Sequence, residues 1–225
     1  MKFSTVVTQL TGALFLCPAC EQSEPSGLLC TTCITYLSEI VSPCRNCGRP
    51  ESADVCGQCL QKPPKWDHAS LQWHFNGLVR HLIHQFKYHH DMAAGNALFR
   101  QWQPDIGDQA HPSIIAVPMH HKKEAKKGFN QAMVLAKKLS DQRGLPLWRG
   151  VRRIAKTPAL EGLTKKERQT VLKNAFDLND KPPQAVVIVD DVFTSGATAA
   201  ELARILKANG TQFVAVCALA RTPLA

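Results

Sequence analysis

The sequence contains no apolar run long enough to cross a membrane, which argues against a transmembrane protein. Residues 1–16 are mildly apolar, but Thr8 and Gln9 interrupt the run, and the bulky Leu16 stands where a signal-peptide cleavage site requires a small residue. We therefore interpret this segment as a short helix rather than a secretion signal. The expected location is the cytoplasm, where thiols remain reduced and a disulfide framework is disfavoured.

Acidic and aromatic residues are both scarce in the middle of the chain. Between Lys122 and Lys173 there are fifteen Lys and Arg residues against four Asp and Glu, and only Phe129 and Trp148 are aromatic. The whole chain carries a net charge of +9, and such a charge favours polyanionic partners. If a nucleic acid binds this stretch, base stacking should contribute little and sequence preference should be weak. The alternative is a solvated basic face with no nucleic-acid role.

Two common phosphate-binding motifs are also absent around Gly196. A Walker A loop needs a Lys-Ser/Thr pair after its last glycine, and a dinucleotide-binding turn needs three spaced glycines; this stretch has neither. It does contain four apolar residues, 186–189, followed by Asp190 and Asp191 and then by hydroxyl residues. A continuous Val/Ile run of this kind predicts a central strand of a parallel sheet, buried on both faces.

The carboxyl end of that strand should place both aspartates at the edge where open α/β sheets bind their ligands. The next helix is expected over residues 199–208, and the turn before it can bind a phosphate through free N–H groups, hydroxyls and the helix dipole. This turn consists of Thr194, Ser195, Gly196, Ala197 and Thr198. Alternatively the aspartates only cap the helix, although capping does not explain the hydroxyl run.

Eight of the nine cysteines lie in four Cys-x-x-Cys pairs, which are Cys17/Cys20, Cys30/Cys33, Cys44/Cys47 and Cys56/Cys59. Two such pairs complete a tetrahedral zinc site, so the sequence predicts one or two structural Zn²⁺ ions, with Gly48 and Gly57 in the tight turns. Serial pairing closes short loops, but a cross-braced arrangement and one degenerate, metal-free site are alternatives. Cys217 stands in an apolar run and is expected in the core.

Two prolines between Gln61 and Lys65 mark a domain boundary. We expect a cysteine-rich zinc-binding module at residues 1–62 and an α/β domain with a parallel central sheet at residues 66–225. Strands are predicted at 66–75, 113–117, 186–189 and 211–219, and helices at 78–88, 92–102, 128–142, 165–173 and 199–208.

Several other stretches allow two interpretations. A basic loop expected at residues 118–127 is well placed for a pyrophosphate, and Asn130 after it either orients a ligand or caps the next helix. His81 and His84 lie one helical turn apart, as metal ligands can, but an exposed helix face fits better because no acidic or cysteine partner accompanies them. Residues 149–158 are expected to be a strand end that passes into a loop, and the mobile segment around residues 160–164 is either a lid or an ordinary solvated connection.

The stretch from Asp190 to Thr198 resembles the PRPP-binding loop of type I phosphoribosyltransferases, in which two acidic residues hold the ribose hydroxyls and the hydroxyl-rich turn holds the 5′-phosphate. Together with the eight cysteines, it makes the chain resemble the ComF family of competence proteins. The stretches that carry this resemblance are Leu82–Lys87, Val117–Pro118, Gly128–Gln131, Arg168 with Lys173–Phe176, and Asp190–Thr198. Lys127 stands where the family usually has an arginine, and Leu160 lies near the place of a lid glutamine.

The resemblance implies a type I phosphoribosyltransferase-like fold that binds PRPP with Mg²⁺. In this hypothesis the catalytic residues are Asp190, Asp191, Lys87 and Arg168, and the residues that bind the cofactor are the same two aspartates, the turn 194–198, Lys127 and Asn130. ComF-like proteins are implied to act in natural transformation, handling incoming single-stranded DNA in the cytoplasm alongside other competence proteins. The alternatives are a non-catalytic adaptor for nucleic acid or protein, and a phosphoribosyltransferase of nucleotide metabolism.

Overall fold

The computed structural model describes residues 16–52, 54–154, 172–173 and 175–223. Within these ranges the helices are α1 (Thr31–Ile34), α2 (Gly57–Gln61), α3 (Gly77–Tyr88), α4 (Met92–Gln101), α5 (His121–Lys127), α6 (Gln131–Arg143) and α7 (Ala197–Ala208). The strands are β1 (His68–His74), β2 (Ser113–Ala116), β3 (Val151–Arg153), β4 (Phe176–Leu178), β5 (Ala185–Phe193) and β6 (Phe213–Arg221). One sheet has the order β1-β6-β5-β2, and β5 pairs in parallel with both β2 and β6. The predicted α/β class with a parallel central sheet is confirmed.

The described chain divides into two compact units. The first unit contains residues 16–39, 73–103 and 223, and the second contains the described residues of 40–72 and 104–222. Each unit holds one group of four cysteines. The domain boundary expected between residues 62 and 66 stays a prediction.

In the first unit, α3 packs against α4, and both helices lie close to their predicted positions. The side chains that α3 buries recur at helical spacing and are Val79, Leu82, Ile83 and Phe86. Gly95 of α4 allows the close approach, because a Cβ atom there would lie 2.6 Å from the Phe86 ring. Helix α4 begins after Asp91, whose carboxylate accepts hydrogen bonds from the N–H groups of Ala93 at 2.8 Å and Ala94 at 3.1 Å.

In the second unit, α6 packs against β2 and β5, and α7 packs against β4 and β6. Val186 and Ile188 of β5 share a core cluster with Leu202 of α7. Val187, which points to the opposite face of the sheet, is also fully buried. The prediction of a strand buried on both faces is therefore confirmed, and so is the prediction for Cys217, which is fully buried in β6.

Strand β5 is longer than the sequence predicted because its two neighbours end at different places. Strand β2 pairs with β5 as far as Val189, whereas β6 pairs with it as far as Phe193. Asp190 and Asp191 therefore lie inside β5 but beyond the end of β2. Both residues remain at the carboxyl edge of the sheet, the edge at which parallel α/β sheets bind their ligands.

The basic loop expected at residues 118–127 is mostly a helix, so that expectation is wrong for its second part. The side chain of His120 caps α5, because its Nδ1 atom accepts a hydrogen bond from the N–H group of Lys122 at 3.3 Å. Gly128 ends the helix with a φ of 86°. The lysines of this stretch are therefore presented by a short helix.

Strand β3 confirms part of the strand end expected at residues 149–158. The mobile segment expected around residues 160–164 and most of the helix expected at 165–173 lie outside the described residues. On the two sides of this gap, β3 and β4 form an antiparallel two-stranded sheet, a pairing that the sequence did not predict. The Arg152 guanidinium of β3 donates to the carboxylate of Asp177 in β4 at 2.7 Å. Both side chains are exposed, so solvent screens this ion pair and the backbone pairing contributes more to the sheet.

Candidate metal centres and phosphate-binding turn

The N-terminal cysteines form two groups, which we call the first group (Cys17, Cys20, Cys30, Cys33) and the second group (Cys44, Cys47, Cys56, Cys59). In each group all four Sγ atoms lie within 4.8 Å of one another. The Sγ atoms of Cys20 and Cys30 are 3.8 Å apart and those of Cys47 and Cys56 are 3.7 Å apart. Four Zn–S bonds of about 2.3 Å place tetrahedral sulfurs about 3.8 Å apart. Both groups therefore fit zinc, and the serial pairing is confirmed.

The same distances exclude the disulfide framework considered from the sequence. An S–S bond is about 2.05 Å long, far shorter than these separations, and the nine cysteines of the described chain are all free thiols. The cross-braced alternative is excluded as well, because each group combines neighbouring pairs.

The two groups repeat one local structure. In each, the third cysteine is the N-cap of a short helix, with Cys30 preceding α1 and Cys56 preceding α2. Its N–H group donates to the sulfur of the first cysteine, at 3.5 Å between Cys30 and Cys17 and at 3.3 Å between Cys56 and Cys44. A hydrogen bond of this kind favours the thiolate form that a metal binds.

The hydrogen bonds and the mutual repulsion of the sulfurs explain why each group suits a cation. Burial acts to raise the pKa of Cys17, but hydrogen bonds, several of them from backbone N–H groups, outweigh burial and lower that pKa to about 6. The same balance lowers the pKa of Cys56 to about 7. Burial first, and then the neighbouring thiols, raise the pKa of Cys33 and Cys59. A divalent cation offsets this repulsion and allows all four sulfurs to be thiolates.

Of the two glycines expected in tight turns, only Gly48 has that role. Its φ is 65°, and its N–H group donates to the carbonyl oxygen of Cys44 at 2.7 Å. A Cβ atom at Gly48 would lie 2.6 Å from Leu71. Gly57 is instead the first residue of α2, and a Cβ atom there would meet nothing within 4 Å. The expectation for Gly57 is wrong because the chain enters a helix at this point.

The two aspartates of β5 differ in burial. Asp190 is half-buried, whereas Asp191 is only 7% exposed. A carboxylate oxygen of Asp190 accepts a hydrogen bond from the N–H group of Asp191 at 2.9 Å. The N–H group of Val117, just after β2, donates to the carbonyl oxygen of Val189 at 2.9 Å. The end of β2 therefore lies directly beside the start of the acidic pair.

The turn after β5 leads straight into α7. Gly196 is the N-cap of α7 with a φ of 72°, a left-handed conformation that glycine adopts most easily. A Cβ atom at Gly196 would lie 2.7 Å from the Phe193 ring and 2.9 Å from the Trp66 ring. Helix α7 therefore begins at Ala197, earlier than predicted. The glycine provides no side chain to cap the first-turn N–H groups, and such groups favour an anion.

The hydroxyl residues of the turn are accessible to different degrees. Thr194 is exposed, and Ser195 and Thr198 are half-buried. The hydroxyl oxygen of Ser195 accepts a hydrogen bond from the N–H group of Ala197 at 3.4 Å. Thr194 and Ser195 lie in the turn, as predicted, whereas Thr198 lies in the first turn of α7. The contact of these residues with a phosphate stays a prediction.

Asn130 is the N-cap of α6, and Lys127 is the last residue of α5. The Asn130 side chain accepts a hydrogen bond from the N–H group of Ala132 at 3.0 Å and donates to the carbonyl oxygen of Val117 at 3.0 Å. It therefore caps α6 and ties the helix to the end of β2, as the capping interpretation predicts. The ammonium group of Lys127 donates to the side-chain oxygen of Gln131 at 2.8 Å. The cofactor-binding roles of Asn130 and Lys127 stay predictions.

The remaining predicted site residues lie elsewhere. Lys87 is in the last turn of α3, in the first unit, and Arg168 lies outside the described residues. Their catalytic roles stay predictions. Neither His81 nor His84 belongs to a metal-ligating group among the residues that the structure describes.

Sequence reasoning missed Arg153, a half-buried cation of β3. Its guanidinium carbon lies 5.6 Å from the centroid of the Phe176 ring in β4. Burial lowers the pKa of Arg153, while the negative charge of Asp190 acts in the opposite direction. Arg153 therefore interacts electrostatically with Asp190. Only the pairing of β3 with β4, which the sequence did not reveal, identifies this residue.

These features define an α/β protein with a parallel central sheet, an acidic strand that leads into a glycine turn at the start of a helix, and two four-cysteine groups suited to zinc. No helix in the described part of the chain is long and apolar enough to cross a bilayer. No protein-family model matches the sequence.

Curated relatives nevertheless cover most of the chain. The DNA utilization protein YhgH of Salmonella typhimurium is 33% identical over 207 residues, which are 86% of this chain and 90% of the relative. Competence protein F of Haemophilus influenzae is 32% identical over 218 residues, 92% of this chain and 90% of the relative. Competence protein ComFC of Bacillus subtilis is 26% identical over 200 residues, 83% of this chain and 81% of the relative. The chain belongs to the ComF family.

Proposed function

We propose that this protein binds PRPP with Mg²⁺ at the turn between β5 and α7 and acts in natural transformation, handling incoming single-stranded DNA on the cytoplasmic side. The observation that carries the proposal is the arrangement at the end of β5. Two aspartates lie beyond the end of β2 and are followed by a turn whose positive-φ glycine begins a helix. The names of the relatives, competence protein F, competence protein ComFC and DNA utilization protein, support the role in transformation.

Each part of the turn has a role in the proposal. Asp190 and Asp191 accept hydrogen bonds from the two ribose hydroxyls, as charged acceptors do most strongly. The 5′-phosphate accepts hydrogen bonds from the first-turn N–H groups of α7 and from the neighbouring hydroxyls. Gly196 leaves room for the phosphate because it has no side chain. Bound Mg²⁺ supplies positive charge against the pyrophosphate oxygens.

The proposed reaction is transfer of the phosphoribosyl group. A nucleophile forms a bond to the anomeric carbon, the bond from that carbon to the pyrophosphate oxygen breaks, and pyrophosphate leaves with the electron pair. The protein contributes positioning and charge stabilisation. Lys87, Lys127 and Arg168 are the proposed cations for the leaving pyrophosphate. A screen for pyrophosphate release with nucleobases, nucleosides and oligonucleotides tests the chemistry and identifies the acceptor.

Calorimetric titration with PRPP, with and without Mg²⁺, tests binding directly. Asp190→Asn and Asp191→Asn each remove a charged acceptor, and the loss of a charge-assisted hydrogen bond should weaken PRPP binding by about tenfold to a hundredfold. The matched control is Asp141→Asn, an exposed aspartate on α6, which should bind PRPP like the parent. If the double variant at positions 190 and 191 binds PRPP as tightly as the parent, the assignment of the turn is wrong.

A second candidate function, a nucleic-acid-binding adaptor without transfer chemistry, is favoured by helix α5. This helix buries none of its seven residues. Its lysines are Lys122, Lys123, Lys126 and Lys127, and its one acidic residue is Glu124. A helix that contributes nothing to a core and carries this charge is suited to a phosphate backbone, which attracts cations through counterion release.

Fluorescence anisotropy with a labelled single-stranded oligonucleotide tests this candidate. Replacing the exposed Lys122, Lys123 and Lys126 with Ala should weaken binding and reduce the slope of log K against log salt by about 2. The control variant replaces three other exposed lysines, Lys62, Lys65 and Lys181, and so makes the same change in net charge. Equal losses in the two variants would indicate a general charge effect and would remove α5 as the binding surface.

A further inference from the structure

The second cysteine group is hydrogen-bonded to residues that support the turn between β5 and α7. The indole N–H group of Trp66 donates to the carbonyl oxygen of Asn46 at 2.7 Å, and Asn46 lies between two of the cysteines of that group. The N–H group of Ala69 donates to the carbonyl oxygen of Arg45 at 2.6 Å. Trp66 is only 7% exposed. Two carbonyl groups between Cys44 and Cys47 thus hold the chain that enters β1.

Arg221 makes a parallel connection from the last residue of β6. Its guanidinium group donates to the carbonyl oxygen of Cys47, and its central carbon lies 5.5 Å from the centroid of the Phe193 ring. Arg221 is 5% exposed and is the backbone partner of Phe193 between β6 and β5. A buried cation needs compensating negative charge, and the second group, which includes Cys47, would provide it as four thiolates around a divalent cation.

Phe193 and Trp66 lie directly beneath the glycine of the turn. Their rings meet edge to face with centroids 5.7 Å apart. Either ring would contact a Cβ atom at Gly196, at 2.7 Å from Phe193 and 2.9 Å from Trp66. The next residue, Ala197, belongs to the same buried cluster as both rings. The position of Gly196 therefore depends on where the two rings are held.

The segment around the second cysteine group has little apolar core of its own. Its buried cluster consists of Cys44, Cys56 and Cys59, with Cys47 and Val55 packed against them. Segments of this kind take their folding free energy from the metal. Without metal we expect the carbonyl groups of Asn46 and Cys47 to lose their fixed position, and Trp66 and Arg221 then lose the acceptors that orient them.

We propose that Trp66 and Arg221 are positioning residues that couple the second cysteine group to the turn between β5 and α7, so that metal bound by this group holds the turn in its ligand-binding conformation. That the ligand is PRPP rests on the proposed function; the coupling to the turn does not. Coupling between two sites is reciprocal. Ligand bound at the turn therefore tightens metal binding by the second group, and we expect the tighter binding to appear as slower metal release.

Hydrogen exchange on the zinc-loaded protein tests the coupling without any ligand. Cys44→Ser removes the first cysteine of the second group, and Cys17→Ser removes its counterpart in the first group; both side chains are fully buried in the parent. We expect amide exchange at residues 194–199 to rise by about tenfold or more in Cys44→Ser and to stay at the parental rate in Cys17→Ser. Equal exchange at the turn in both variants would overturn the proposal.

Trp66→Phe keeps an aromatic ring and both cysteine groups but removes the indole N–H group. It therefore tests the coupling between the second group and the turn even if Cys44→Ser fails to fold. This variant should retain the parental zinc content and still show faster exchange at residues 194–199. Parental exchange in Trp66→Phe, with the Arg221→Lys variant equally unchanged, would assign both residues to ordinary packing and overturn the proposal.

Zinc release to a chromogenic chelator, measured with and without PRPP and Mg²⁺, separates the coupling from the proposed function. We expect PRPP to slow one of two release phases by about fivefold or more, to leave the other phase unchanged, and to lose this effect in Trp66→Phe. If PRPP fails to bind the parent by calorimetry, the proposed ligand is wrong and hydrogen exchange alone decides the coupling. If PRPP binds the parent but slows neither release phase, the coupling is wrong and the proposed function stands.

Discussion

The first and second cysteine groups have the same ligands in almost the same spacing, and each uses its third cysteine to begin a helix. Their surroundings differ. In the first group Cys20 is exposed, whereas in the second group three thiols are buried and Cys47 is half-buried. Trp66 and Arg221 also donate hydrogen bonds to the backbone carbonyl oxygens of Asn46 and Cys47, in the segment that carries the second group. The spacing of the cysteines thus indicates which ion a group binds, and the residues that contact the group indicate which part of the fold it stabilises.

The largest expected difference between the two groups is in the effect of losing one ligand. The parent should bind about two Zn²⁺ per chain and each of Cys44→Ser and Cys17→Ser about one. The second group lies within the second unit. Cys44→Ser should therefore lower the free energy of unfolding of that unit by about 4 kcal/mol, in the range of the most severe single substitutions. Elemental analysis and thermal unfolding measure both quantities. If Cys17→Ser lowered the free energy of unfolding of the second unit as much as Cys44→Ser does, the proposed difference between the two groups would be wrong.

Gly196→Ala tests how tightly the turn sits on the rings next to the second group. The substitution forces a Cβ atom into a left-handed residue and against Phe193 and Trp66, so we expect a loss of about 2–4 kcal/mol in the free energy of unfolding. The control is Gly144→Ala, at a φ of 63° with nothing within 4 Å of its Cβ position. It should cost only about 1–2 kcal/mol for the backbone conformation. If denaturant unfolding gave the same loss of free energy for Gly196→Ala and Gly144→Ala, the Phe193 and Trp66 rings would move aside easily.

The smallest expected effect is that of Arg221→Lys. A lysine keeps the charge but loses the planar group over Phe193 and the geometry of the bond to the Cys47 carbonyl. We expect a loss of about 1–2 kcal/mol in the free energy of unfolding. Arg204→Lys is the control, because Arg204 is partly exposed and pairs with Glu201 one turn away; it should change stability by less than about 0.5 kcal/mol. Matching values would show that Arg221 contributes no more than a surface charge.

The sequence was most informative where a pattern is local. The four cysteine pairs, the buried Val/Ile strand and the order Asp-Asp, hydroxyls, glycine all lie within short segments. The structure confirms the cysteine groups and the buried strand, although β5 is longer and α7 begins earlier than predicted. Local patterns follow from backbone geometry and side-chain periodicity alone. Serial pairing of the cysteines was favoured for the same reason, since short loops close at low entropic cost.

The sequence was least informative where distant residues meet. The contact of Trp66 with Phe193 and the bond from Arg221 to Cys47 join residues far apart in the chain. Strand β5 continues past the aspartates only because β6 remains paired with it, which one strand by itself does not reveal. Helix α5 was missed because its seven residues show no apolar periodicity, whereas a histidine cap and a glycine end are enough for a short helix.

The unequal exposure of the two cysteine groups has a consequence for oxidative stress. Peroxide oxidises accessible thiolates first, and an oxidised cysteine no longer holds its metal. The exposed Cys20 makes the first group the first target, while the second group is shielded by its burial. Under increasing peroxide one zinc ion should therefore leave well before the other, and the turn after β5 should keep its structure through the first loss.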